Sequence, residues 1–193
     1  QVLRAWIQAR APRHAVVVGG GFIGLEMAEN LVHRGLSVTV LEKAPQVMPP
    51  IDAELAEPVR ARLQAHGVQV VLGDGLAGFA PGPQGLIVRT ESGRALDAGL
   101  VILALGVRPE TGLARAAGLT LGARGGIRVD AQQRTSDPRI WAVGDAIESA
   151  DVITGQEVIL PLAGPANRQG RVAADAIAGR ATRFRGVQGT AVC

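Results

Sequence analysis

The sequence predicts an α/β chain built on a parallel sheet, and three observations carry that prediction. Residues 15–43 run strand, glycine turn, helix, strand: an apolar run at 15–18, glycines at 19–21 and 24, a helical pattern over 22–34, and a second apolar run at 38–41. Two further strand-sized apolar runs follow, at 68–72 and 100–105. Between them lie three short strand patterns, 76–80, 85–90 and 94–96, separated by Pro81-Gly82-Pro83 and Glu91-Ser92-Gly93, which are turn signals.

The expected architecture is therefore a Rossmann-like parallel sheet whose usual crossover helix is replaced by an antiparallel three-strand meander. Its first turn is a G-x-G-x-x-G formed by Gly19, Gly21 and Gly24, with a strand before it and a helix after it. Gly19 allows the tight turn out of the strand. Gly21 lets a pyrophosphate approach the backbone, and Gly24 lets the helix pack close to the strand. The helix start then offers free N–H groups and the positive end of its dipole to phosphates. Glu42 ends the second strand about twenty residues on, where an acidic side chain accepts ribose hydroxyls. Strand, helix, second strand and acid together define a dinucleotide site; glycines alone would not, in a chain with 26 of them. Glu42 favours NADH, since a 2′-phosphate would meet a carboxylate, whereas Lys43 beside it is able to pair with that phosphate.

The remaining elements follow in order. Residues 2–10 place Val2, Trp6 and Ile7 on one helical face, and Pro12 ends that helix. In the glycine-turn helix, Ile23, Met27 and Leu31 fall at helical spacing and are expected on the sheet, with Gly35 at the C′ position. The loop 44–50 contains three prolines, and Asp52 then N-caps a helix reaching about His66, closed by Gly67. Pro58 inside it predicts a kink or a later start. Gly106 closes the strand at 100–105, at the carboxyl end where open α/β sheets bind ligands. From Thr111 the pattern leaves the first unit: a short helix at 113–118, a short strand at 127–129, an apolar strand at 140–143 delivering Gly144-Asp145, and an alanine-rich helix at 166–178 with Pro165 at its first position. This second stretch reads as part of another α/β domain.

Composition excludes several functions. The chain has 193 residues, 47% of them hydrophobic, and no apolar run near the roughly 18 residues that a membrane helix needs. No membrane role and no targeting signal are expected, so a soluble, cytoplasmic protein is the default. The net charge of +3 is spread thinly without basic runs, and there is no tyrosine, which argues against nucleic acid as a partner. One cysteine, Cys193, excludes an internal disulfide. His14, His33 and His66 lack companion ligands at useful spacing, so no metal site is expected.

Three segments resemble the pyridine nucleotide-disulfide oxidoreductases, a family of two-dinucleotide flavoproteins. They are the glycine turn with Glu42, the run Ala104-Leu105-Gly106-Val107-Arg108-Pro109, and residues 135–145, similar to the family's second FAD segment. Residues 46–52 and 161–170 look most like coenzyme A-disulfide reductases, with NADH oxidases and peroxidases as close neighbours. The resemblance implies FAD and NAD(P)H as cofactors, with NAD(P) held by Gly19, Gly21, Phe22, Ile23, Gly24, Glu42, Lys43 and Gly106. It places FAD against Gly144, Asp145, Leu162 and Ala163, the aspartate holding the ribitol chain. Glu26 would stand near the nicotinamide–flavin junction, the one catalytic position the resemblance offers within this sequence.

The implied layout is a connecting helix at 1–12 on the FAD-domain side, an NAD(P)-binding domain at 13–110, the second part of a FAD-binding domain at 111–185, and the start of a dimerisation domain at 186–193. Family members also carry an earlier FAD glycine motif and a reactive cysteine. The chain is thus expected to be a fragment of a homodimeric parent, with Cys193 incidental. The parent reaction implied is hydride transfer from NAD(P)H to FAD and on to a disulfide such as coenzyme A disulfide. Oxygen or peroxide as acceptor, or a non-catalytic NAD-binding module, are the alternatives. A complete single-domain dehydrogenase would leave residues 135–145 unexplained.

Overall fold

The computed structural model describes residues 2–189. The chain divides into two units, Gln1–Gly106 and Val107–Cys193. The first opens with α1 (Val2–Arg10), β1 (His14–Val18), α2 (Phe22–His33), β2 (Ser37–Leu41), α3 (Ala53–Ala65) and β3 (Gln69–Val71). The hairpin strands β4 (Leu76–Gly82), β5 (Gly85–Thr90) and β6 (Ala95–Ala98) follow, then β7 (Leu100–Leu103). The main sheet has the order β3-β2-β1-β7, and β4-β5-β6 form a separate antiparallel sheet. All three pairings of the main sheet are parallel. This is a Rossmann-like sheet with the expected meander.

A parallel sheet covered on both faces needs strands that are apolar at every position. In β1, Ala15 and Val17 pack with Ala28 and Leu31 of α2, while Val16 and Val18 pack with Val88 and Ala98 of the meander. Val16, Val17 and Val40 are wholly buried, each stabilising the fold by about 1.5–3 kcal/mol. The polar exception lies at the amino edge of the sheet. There the His14 ring bonds the Ser37 hydroxyl at 2.7 Å and the Thr39 hydroxyl at 3.1 Å. Burial holds that ring below the usual histidine value, against the opposing pull of Asp97.

Several expectations change in detail. Ile23 does not pack on the sheet: it is 52% exposed, and the buried positions of α2 are Gly24, Ala28 and Leu31. The helix approaches so closely at its start that a methyl on Gly24 would run into the Gly19 carbonyl, so the face turned inward must begin with glycine. Met27, one turn on, is half-buried. Val2 is exposed, and Ile7 is the α1 side chain that joins the sheet core. Pro58 does not delay α3, which begins at Ala53 after Asp52. Pro81 and Gly82 belong to β4 rather than to a turn; β4 is an edge strand, where the missing proline N–H costs no ladder bond. The strand through Leu100 stops at Leu103, two residues short of Leu105.

The second unit holds α4 (Gly112–Ala116), β8 (Ile127–Arg128), β9 (Ile147–Ala150), β10 (Glu157–Val158) and α5 (Ala163–Ile177). Its sheet runs β10-β9-β8, with β8 parallel and β10 antiparallel to β9. The expected strand at 140–143 is not formed. Trp141 makes one bridge to Arg134, stacks under that guanidinium at 5.4 Å, and the chain then enters a 3-10 turn at Gly144–Ala146. The strand comes after the glycine instead, as β9, because Gly144 takes a positive φ of 83° that breaks an extended run. Helix α5 begins at Ala163 with Leu162 as its N-cap. That puts Pro165 third rather than first, still within the turn whose N–H groups have no helical partner. Residues 190–193, including Cys193, lie outside the described residues. Among the described residues no helix is long and apolar enough to cross a membrane, and no group of three metal-ligating side chains occurs.

Candidate functional site

The glycine turn sits at the carboxyl ends of β1 and β2, and each of its glycines meets a different constraint. Gly19 has a φ of 109°, and a Cβ there would strike the Ala104 carbonyl oxygen. Gly24 is buried against Gly19, as described. Gly21 has neither excuse. Its φ of −83° suits any residue, and no atom lies within 4 Å of where its Cβ would stand. The protein's own packing does not require glycine at position 21, whereas a group approaching the N-terminus of α2 from outside would.

Gly20 is held at both ends of its peptide. Its N–H donates to Glu42 Oε2 at 2.6 Å, and its carbonyl accepts the Met48 N–H at 2.9 Å. The other carboxylate oxygen of Glu42 accepts the Ala44 N–H at 2.7 Å. Each carboxylate oxygen accepts about two hydrogen bonds, so Glu42 braces the loop and keeps one acceptor site on each oxygen. The residues fit a dinucleotide: open space before Gly21, the N–H groups of the first turn of α2, and a half-used carboxylate at the end of β2.

Around this centre the other expected residues are placed as follows. Phe22 and Ile23 are partly exposed at the start of α2. Glu26 is exposed on the same helix, its carbonyl accepting the Asn30 side chain at 2.9 Å. Lys43 is not free, because its ammonium pairs with Glu91 at 2.8 Å. Gly106 takes a φ of 89° with open space around its Cβ position.

In the second unit, Gly144 N–H donates to the Gln169 side-chain oxygen at 2.7 Å. Gln169 is 3% exposed on α5, so the turn bearing Asp145 is fixed to that helix while Asp145 itself stays exposed. A cavity of about 290 Å³ opens at the start of α5, lined by Leu162, Gly164, Pro165, Arg168, Phe184 and Val187 among others. A fixed turn presenting a carboxylate, with small residues Ala163 and Gly164 opening the helix, fits a flavin ribitol and ring.

Sequence reasoning missed Met48, Asp74, Glu91 and Gln169. Met48 is wholly buried with a φ of 50°, which no local pattern announces in a proline-rich loop. Gln169 offered a usable signal: with Ala173 it forms the buried positions of α5, so a polar side chain stands on the inward face. Asp74 is 5% exposed and joins Ser92 across the meander; the Ser92 hydroxyl holds its carboxyl below the usual carboxylate range. Only tertiary structure brings those two together.

With this geometry in place, the chain's relatives are informative. Residues 2–170 match the pyridine nucleotide-disulphide oxidoreductase family model. The chain belongs to that family, in a group related to coenzyme A-disulfide reductases and NADH oxidases. It is 40% identical to an NADH oxidase of Methanocaldococcus jannaschii over 97% of this chain and 42% of that one. It is 36% identical to a CoA-dependent NAD(P)H sulfur oxidoreductase of Pyrococcus abyssi, over 98% of this chain and 42% of that one. Among solved structures, reduced Bacillus anthracis CoADR-RHD superposes with a TM-score of 0.94 at 49% identity, covering 98% of this chain and 34% of that one. The chain thus spans about two fifths of the length of these curated relatives.

Proposed function

We propose that the chain contributes the NAD(P)H site and part of the FAD site of a flavoprotein oxidoreductase that passes hydride from NADH to FAD and on to a disulfide, coenzyme A disulfide being the favoured substrate class. Bound together, nicotinamide and flavin supply the redox chemistry. The protein's part is to hold and orient. Gly19, Gly21 and Gly24 with Phe22 and Ile23 would form the pyrophosphate cradle at the start of α2. Glu42 would take the adenosine ribose, and Gly106 would let backbone approach the nucleotide. Asp145, on the turn fixed by Gly144 and Gln169, would hold the flavin ribitol, with Leu162 and Ala163 beside the ring. The positive end of α5 would face negative charge on the ring. Glu26 is assigned to the nicotinamide–flavin junction.

The observation that carries this reading is the open space at Gly21 beside the braced Glu42. Support for the acceptor comes from the sulfur oxidoreductase and CoADR-RHD relatives. The NADH oxidase relative favours oxygen as the second possibility. Residues 13–110 would be the NAD(P) domain, 111–185 the FAD-domain part, 1–12 the link to it, and 186–193 the opening of a dimerisation domain, in a cytoplasmic homodimer.

Glu42→Ala tests the ribose assignment. It is expected to weaken NADH binding by about 1–3 kcal/mol, roughly 5- to 150-fold, measured by titrating the quenching of protein fluorescence. A dissociation constant unchanged from wild type would remove Glu42 from the site.

A further inference from the structure

Lys43 directly follows Glu42, and its ammonium lies 2.8 Å from a carboxylate oxygen of Glu91. Glu91 belongs to the turn between β5 and β6, far away in sequence, and the fold holds it in place. Its N–H donates to the Gly75 carbonyl at 2.8 Å. Its carboxylate lies over Gly75 so closely that a Cβ there would stand 2.6 Å from the carboxyl carbon. The same turn is fastened by buried Asp74, which accepts the Ser92 N–H at 2.9 Å and the Ser92 hydroxyl at 2.5 Å. Arg94, the cation of this turn, has its guanidinium 3.9 Å from Asp74. Lys43 and Arg94 therefore each already face a carboxylate.

Stability does not account for the Lys43–Glu91 pair. Its side chains are 73% and 49% exposed, and exposed pairs contribute little to folding. What the pair does is decide where the charge of Lys43 goes. A free ammonium next to the ribose acid would attract a 2′-phosphate, offsetting the repulsion from Glu42. An ammonium drawn to Glu91 has its field partly offset, and Glu91 adds a second negative charge to the neighbourhood.

We propose that Glu91 is a specificity-determining positioning residue: by holding Lys43 it denies that cation to a 2′-phosphate and sharpens the preference for NADH over NADPH. The proposal rests on the reading of the glycine turn as a nicotinamide dinucleotide site. It adds to that reading a residue from the meander, outside the glycine turn and the strand that ends in Glu42.

Glu91→Gln tests it, since the amide keeps the shape of the side chain and the backbone bond to Gly75. Dissociation constants for NADH and NADPH would be measured at low salt in four proteins: wild type, Glu91→Gln, Lys43→Ala and the double variant. The expected result is NADPH bound about two- to fivefold more tightly by Glu91→Gln, with NADH changed by less than about twofold. The gain should vanish in the Lys43→Ala background and shrink as salt is raised. A purely structural role for Glu91 would move both nucleotides together. An unchanged NADPH-to-NADH ratio in Glu91→Gln, with NADH still bound, would overturn the role of Glu91 alone, as would a gain that persists without Lys43. Wild-type protein that binds neither nucleotide would overturn the site itself.

Discussion

Gly21→Val is expected to abolish measurable NADH binding, at least about a hundredfold, in a protein that still folds. The two halves of that result come from one place. At φ −83° and ψ −174° the Gly21 backbone is extended, a conformation valine adopts readily. Apart from its chain neighbours no protein atom lies within 4 Å of its Cβ position, so the β-carbon of valine displaces nothing in the free protein. Valine is a poorer N-cap than glycine by up to about 1 kcal/mol, which lowers the melting temperature by no more than about 4 °C. A pyrophosphate, by contrast, would need the space the side chain fills. Near-normal melting with lost NADH binding is the expected pair of readings; retained NADH affinity would show that nothing approaches α2 there.

Gly19→Ala should behave in the opposite way. At φ 109° the residue lies where L side chains are strained, at a cost of about 1–3 kcal/mol. Its methyl would also collide with the backbone carbonyl of Ala104, and overpacking against backbone costs about 1–3 kcal/mol more. A destabilisation of about 3 kcal/mol follows, or a melting temperature lower by about 6–12 °C, read by thermal denaturation monitored by circular dichroism. A variant with wild-type stability would mean that the turn out of β1 is not built as described. The two glycines thus separate what the motif does for the fold from what it does for a ligand.

The contrast shows how far the sequence can be read. The parallel sheet was legible because both of its faces are covered, so Val16, Val17, Val38 and Val40 fall in near-continuous apolar runs, with Thr39 the polar interruption in β2. The meander was legible through its turns. Glu42 was placed by spacing alone, yet spacing did not reveal that its carboxylate already braces Gly20 and Ala44. The face of α2 was misjudged because periodicity selects large apolar residues. Close approach to the sheet instead selects Gly24 and Ala28 and leaves Ile23 outside. In the second unit, the apolar run 140–143 carried the expected composition of a strand, but Trp141 pairs at only one position before Gly144 turns the chain. Asp74 with Ser92, Lys43 with Glu91, and Gly144 with Gln169 join residues 18, 48 and 25 positions apart. Such pairings leave no periodic trace.

The assignment of residues 15–43 as a nicotinamide dinucleotide site is tested most directly by titrating the purified protein with NADH and, separately, with FAD. Saturable one-to-one binding of NADH is the predicted result. Tight binding of FAD with no affinity for NADH would contradict it.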